Sequence, residues 1–64
     1  MQLSLTELIE HPERLGKETL YPLRELVAKY PCFHSARLLF LQNLFLLHDP
    51  SFGEELRRAA ACLP

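Results

Sequence analysis

The sequence predicts an all-α protein of about four short helices, arranged as two successive antiparallel helical hairpins. Leucine fills 15 of the 64 positions, whereas the β-branched residues are confined to Thr6, Ile9, Thr19 and Val27. This balance favours helices over strands. Prolines at positions 12, 22, 31 and 50 punctuate segments of helical periodicity. Because the connections between these segments are short, successive helices are expected to lie antiparallel.

Helix one is predicted over about residues 5 to 11. Ser4 followed by Glu7 has the form of a capping box, in which each side chain can bond a free backbone N–H at the helix start. The pair His11-Pro12 ends the helix, because the residue before a proline is disfavoured in the helical conformation.

Helix two is predicted to begin after Thr19 as N-cap and to end at Tyr30-Pro31. Pro22 would then fall in the first turn, where no backbone donor is needed. A single apolar stripe runs along this helix through Leu20, Leu23, Leu26, Val27 and Tyr30.

Helix three, predicted over about residues 33 to 47, is apolar on more than one face. One stripe contains Ala36, Leu39, Phe40, Asn43, Leu44 and Leu47. A second stripe beside it contains Leu38, Leu41 and Phe45. Two interpretations follow. The helix is either packed between helices two and four, or its second stripe is buried only by a helix from a second copy or from further chain.

Helix four is predicted to start at Asp49-Pro50, an N-cap followed by proline at the first helical position. Its inner stripe would contain Phe52, Leu56, Ala59, Ala60 and Leu63. Its outer face would contain Glu54, Glu55, Arg57 and Arg58, with Glu54 and Arg58 paired four residues apart. The apolar segment after Arg58 leads us to expect that residues 1–64, one small helical domain, form the N-terminal part of a longer protein.

Charge and hydropathy argue against nucleic acid and membrane as partners. The net charge is -1 and there is no basic run. The most apolar stretch, Leu38 to Leu47, is far shorter than the roughly 20 residues that a membrane-spanning helix needs. The sequence shows no export signal, so we expect a cytoplasmic location. In that compartment Cys32 and Cys62 are expected to be free, buried thiols.

A zinc site would have to use Cys32, His34, His48 and Cys62. The spacing is poor, because Cys32 and His34 are two residues apart and no C-x2-C pair exists to arrange a tetrahedron. His11 and His48 are instead expected in the last turns of their helices, where the dipole favours a cation. We therefore expect no metal and no cofactor.

Nucleophilic catalysis by Cys32 beside His34 is disfavoured, since the chain has no Gly-rich turn to stabilise an oxyanion. The adjacent carboxylates Glu54 and Glu55 would diverge by about 100° around a helix and could not share a proton. We expect no enzymatic activity.

The segments Tyr30-Pro31, Ser35-Ala36-Arg37-Leu38-Leu39 and Asp49-Pro50, with Ala59 and Ala60, resemble tetratricopeptide-like helical repeats. With Pro31 at the terminal proline of the repeat, Gly53 and Ala60 fall on its small-residue positions. Leu41 and Arg57 depart from the pattern. The resemblance covers about half of the chain and implies a scaffold or adaptor role.

The run Leu23-Arg24-Glu25-Leu26-Val27, with Tyr30-Pro31 and Glu55-Leu56-Arg57-Arg58-Ala59-Ala60, also resembles the opening segment of longer bacterial proteins of no assigned activity. Neither resemblance supplies catalytic residues.

The sequence thus predicts a helical interaction module that binds a protein helix or its own copy, as a homodimer, through helix 33–47. The candidate interface residues are Leu38, Leu41, Phe45, Leu20 and Tyr30. The alternative is an N-terminal structural cap of a longer helical-repeat protein whose function lies elsewhere.

Overall fold

The computed structural model describes residues 4–62, which form four α-helices and one short 3₁₀ turn, and within this range there is no strand. The elements in chain order are α1 (Leu5–Glu10), the 3₁₀ turn (Pro12–Arg14), α2 (Lys17–Lys29), α3 (His34–Leu46) and α4 (Phe52–Ala61). The prediction of an all-α chain with four helices is confirmed.

Helix α1 begins and ends close to the predicted residues. The Ser4 Oγ accepts a hydrogen bond from the Glu7 N–H at 3.3 Å, as expected of an N-cap. The Glu7 carboxylate forms an ion pair with Arg14 and so connects α1 to the 3₁₀ turn. His11 is the C-cap residue, and its N–H bonds the Glu7 carbonyl at 2.8 Å.

Helix α2 starts earlier than predicted, at Lys17 with Gly16 as N-cap. Thr19 is therefore not the N-cap but the third helical residue, and its Oγ1 accepts a hydrogen bond from the Gly16 N–H at 2.9 Å. The threonine side chain thus caps the helix from inside its first turn. Pro22 consequently lies within the helix rather than in its first turn, and its missing N–H leaves the Glu18 carbonyl without the usual i−4 bond.

Helix α3 lies at the centre of the molecule, where it contacts α1, α2 and α4. Its first predicted stripe is almost entirely buried, with Leu47 half-buried at its end. The core of the protein consists of Leu8, Leu15, Leu23, Val27, Ala36, Leu39, Phe40 and Leu44. The interpretation of α3 as a central helix is confirmed for this stripe.

The end of α3 is a Schellman motif with a histidine in the left-handed position. The His48 N–H bonds the Phe45 carbonyl at 3.1 Å and the Asp49 N–H bonds the Leu44 carbonyl at 2.9 Å. His48 has a φ of 53°, the conformation that favours glycine. His48 therefore lies beyond the end of the helix. The prediction that it lies in the last turn is wrong.

Replacing His48 with glycine is expected to raise the free energy of unfolding by about 1 kcal/mol, because glycine removes the steric cost of the left-handed conformation. Urea unfolding followed by circular dichroism measures the change. His11→Gly is the matched control, since His11 has a φ of -129° and glycine there relieves nothing. A His48→Gly protein no more stable than the wild type would contradict this explanation.

Helix α4 begins two residues later than predicted, with Ser51 as N-cap instead of Asp49. The Asp49 Oδ1 accepts hydrogen bonds from the Ser51 N–H at 2.9 Å and the Ser51 Oγ at 2.7 Å. These bonds, with a smaller contribution from Arg24, lower the pKa of Asp49. Asp49 therefore closes a turn before the helix, a common role for aspartate two residues upstream of its donor.

Helix α4 packs more loosely than its predicted inner stripe implied. No residue from Phe52 to Ala61 is buried. Phe52 and Ala59 are half-buried, whereas Leu56 and Ala60 are exposed. Leu63, the last member of the predicted stripe, lies outside the described residues. Glu55, predicted on the outer face, instead turns towards α3, with its side chain 14% exposed.

Cys32 and Cys62 form a disulfide, so the prediction of two free thiols is wrong. The two Cα atoms are 5.4 Å apart although 30 positions separate the residues in sequence. The antiparallel arrangement of α3 and α4 places the turn before α3 beside the end of α4. The bond therefore joins the two ends of this hairpin.

Candidate functional site

Six residues of α3 are exposed. The ring of one of them, His34, lies beside the Cys62 carbonyl at the end of α4. The other five, which form the outward face, are Ser35, Leu38, Gln42, Phe45 and Leu46. Leu38 is 66% exposed, Phe45 63% and Leu46 50%. None of these five side chains carries a charge. A central helix thus presents three large apolar side chains to solvent, on a face without electrostatic repulsion between copies.

Leu41 does not share the exposure of Leu38 and Phe45, with which it was predicted to form one stripe. It is 7% exposed, because it lies about 60° around the helix axis from Leu38. Its neighbours along that side, Arg37 and Phe45, both contact α4. The predicted stripe is therefore divided, with Leu41 buried inside the chain and the other two residues exposed.

A groove of about 290 Å³ borders the outward face where α1 meets α3. It is lined by Ile9, Pro12, Ser35, Leu38, Leu39 and Gln42. Ile9 is 57% exposed and extends the apolar surface of α3 onto α1. On the other side, the Phe45 and Phe52 rings pack with their centroids 5.7 Å apart, so α4 supports the orientation of Phe45.

The structure places the other two candidate residues, Leu20 and Tyr30, away from this face. Leu20 is half-buried and packs against the core. Tyr30 is 51% exposed at the C-cap of α2. It lines a separate groove together with Lys29, Pro31, Cys32 and Phe33. The five candidate residues therefore do not form one continuous surface.

A nearly buried ion pair joins α3 to α4, and sequence reasoning missed it. Arg37 is 5% exposed, and its Nη1 donates to the Glu55 Oε1 at 3.1 Å. Its Nε donates to the Pro31 carbonyl at 2.8 Å. Arg58 donates to the other Glu55 oxygen at 3.3 Å and to Glu54 at 2.9 Å, which confirms the predicted Glu54–Arg58 pair. The signal in the sequence was a lone charge between apolar positions of helix three.

Asn43 is the centre of a second polar network, which is buried between α2 and α3. The Asn43 Oδ1 accepts a hydrogen bond from the Thr19 hydroxyl at 2.6 Å, and its Nδ2 donates to the Gly16 carbonyl at 3.0 Å. Asn43 is 0% exposed. The sequence placed Asn43 in the buried stripe of helix three but did not identify its partners. These bonds fix the start of α2 on the central helix.

The cysteine and histidine side chains do not assemble a metal site in the part of the chain that the structure describes. Within residues 4–62 no group of three or more His, Cys, Asp or Glu side chains is placed to hold a metal ion. Both sulfur atoms are bonded to each other, so neither is a thiolate ligand or nucleophile. The His34 Nε2 lies 3.3 Å from the Cys62 carbonyl oxygen, and the His11 Nδ1 lies 3.2 Å from Glu13.

No helix within residues 4–62 has the length and apolar character needed to cross a lipid bilayer.

A family model described as "Domain of unknown function (DUF8458)" matches residues 3–64. No curated protein and no solved structure matches the chain. Because the family match spans nearly the whole sequence, the chain belongs to the DUF8458 family.

Proposed function

We propose that this chain is a non-catalytic helical interaction module that binds a second copy of itself through the outward face of α3. The observation that carries the proposal is the exposure of Leu38, Phe45 and Leu46 on an uncharged face of the central helix. Exposed apolar side chains that are contiguous on a folded surface are typical of protein interfaces. Ile9 on α1 extends this surface.

The spacing of the exposed residues suits pairing between two identical helices. Leu38 and Phe45 are two helical turns apart, about 10 Å along the axis. Two α3 helices that cross antiparallel near Gln42 would place Leu38 of each copy against Phe45 of the partner subunit. Such a contact is self-complementary and closes with two-fold symmetry, the commonest arrangement in soluble oligomers.

Replacing Leu38 with glutamate is expected to convert the dimer into a monomer, because each of the two copies would have to bury a carboxylate against Phe45 of the partner subunit. Size-exclusion chromatography with light scattering at micromolar concentrations measures the mass. Tyr21→Glu is the matched control, since Tyr21 is 68% exposed on α2 and its replacement introduces the same charge. We expect the Tyr21→Glu protein to remain dimeric.

Leu38 is a better test than Phe45, because Phe45 also packs against Phe52 within the chain. Circular dichroism of each variant separates loss of pairing from loss of helix. A wild-type chain that is folded and strictly monomeric up to about 100 µM, where an interface of even moderate affinity is occupied, would overturn the proposal of self-association.

A second candidate is an N-terminal structural cap of a longer helical-repeat protein. It is favoured by α4, which contains no buried residue and leaves Leu56 48% exposed. In stacked helical repeats each unit leaves one face for its neighbour. The resemblance to tetratricopeptide-like repeats supports the same reading, and a monomeric wild type would favour it over self-association.

A cytoplasmic location remains part of the proposal. Thiols are kept reduced in the cytosol, so the Cys32–Cys62 bond would there be subject to reduction rather than permanent.

A further inference from the structure

We propose that the Cys32–Cys62 disulfide is a redox-sensitive link that determines whether α4 stays docked on α3. The bond is accessible at the edge of the molecule, because Cys32 is exposed and Cys62 half-buried. An attacking thiolate can therefore reach a sulfur atom without prior unfolding of the chain. The bond joins the start of one helix to the end of the next.

Helix α4 depends on this link because its other attachments are few. None of its residues is buried, and every member of the core cluster comes from the chain before α4. Phe52 alone among α4 residues packs against that cluster. The other described attachments include the Arg37–Glu55 ion pair, the contact between the rings of Phe45 and Phe52, and the approach of the His34 Nε2 to the Cys62 carbonyl oxygen at 3.3 Å. The core of α1, α2 and α3 can persist when α4 separates.

Separation of α4 would change the apolar surface of α3. Leu41 lies between Arg37 and Phe45 around the α3 axis, and both of these residues contact α4. Leu41 is therefore the apolar side chain that undocking exposes, directly beside Leu38 and Phe45. Reduction would widen the outward face by this residue, whether or not that face binds a second copy.

A dithiol reductant supplies the electrons and protons for opening the bond. Its first thiolate attacks one cysteine sulfur, which breaks the S–S bond and forms a mixed disulfide. Its second thiolate then attacks the reductant's own sulfur in that mixed disulfide and releases the remaining cysteine. Two electrons pass from the dithiol to the cystine, and the two protons of the dithiol are taken up by Cys32 and Cys62 as thiols. The reductant leaves as a cyclic disulfide.

Hydrogen exchange of the full chain, followed by mass spectrometry with and without prior treatment with dithiothreitol, tests the proposal. After reduction we expect the amides of α4, residues 52–61, to exchange on the order of tenfold faster or more than in the oxidised chain. The amides of α2 and α3 in the same reduced sample should stay more protected than those of α4. Reoxidation should restore the protection of α4.

The double variant Cys32→Ser/Cys62→Ser is the control. It should show the rapid exchange of α4 in the absence of dithiothreitol and should not respond to the reagent. The proposal fails if reduction of the wild type leaves α4 exchange unchanged. It also fails if α2, α3 and α4 accelerate by the same factor, because the bond would then stabilise the whole fold and not the docking of α4.

Discussion

Replacing Asn43 with alanine is expected to lower the free energy of unfolding by about 3 kcal/mol. The substitution leaves a cavity at a site of 0% exposure. It also removes the hydrogen bonds of Asn43 to the Thr19 hydroxyl and to the Gly16 carbonyl. Urea unfolding, followed by helical circular dichroism, measures the loss.

Gln42→Ala is the matched control, since Gln42 is the adjacent residue of α3 and is exposed. We expect its effect to stay within about 0.5 kcal/mol. Thr19→Val tests whether the two side chains act together, because the double variant with Asn43→Ala should lose less than the two single losses added. If Asn43→Ala were as stable as Gln42→Ala, or the losses were strictly additive, the network would not hold α2 on α3.

Helix positions could be predicted from sequence more reliably than helix starts. The proline-bounded segments correctly located α1 and α3 and the end of α2. The starts of α2 and α4 were wrong because Thr19 and Asp49 each have more than one way to satisfy a nearby N–H. Thr19 bonds back to Gly16 from within the helix, and Asp49 bonds forward to Ser51 before the helix begins. Residue type alone does not distinguish these arrangements.

The candidate site could be predicted only in part, and the reason is similar. Helical periodicity identified two apolar stripes on helix three, but it could not specify where α4 packs across them. In the structure Leu41 is buried, whereas Leu38 and Phe45 are exposed. The Cys32–Cys62 bond was not predicted, because free thiols were expected from a cytoplasmic location. Whether the two cysteines can pair depends instead on how α3 and α4 align.

The partner of Arg37 was equally inaccessible to local patterns. Glu55 lies 18 positions away in the sequence, on helix α4. The sequence predicted all four charged residues of that helix on its outer face. Only the rotation of α4 decides which carboxylate turns inward. Burial of an arginine requires such a partner, since an unpaired charge in the interior is strongly unfavourable.

Replacing Arg37 with alanine is expected to destabilise the protein by about 3 kcal/mol, because it removes one member of a nearly buried ion pair. The side chains of Arg37 and Glu55 are 6% and 14% exposed, so water screens their interaction weakly. The loss falls at the lower end of the usual range because Arg58 still contacts Glu55. Urea unfolding of the oxidised chain measures it.

Arg57→Ala is the control, as Arg57 is exposed on α4 and its loss should change stability by no more than about 0.5 kcal/mol. Arg37→Lys keeps the charge, but a single ammonium cannot replace both the Nε bond to Pro31 and the Nη1 bond to Glu55. We expect an intermediate loss for it. The double variant Arg37→Met/Glu55→Leu should recover most of the stability, because it leaves no unpaired charge between α3 and α4. Equal stability of Arg37→Ala and Arg57→Ala would show that the ion pair does not attach α4 to α3.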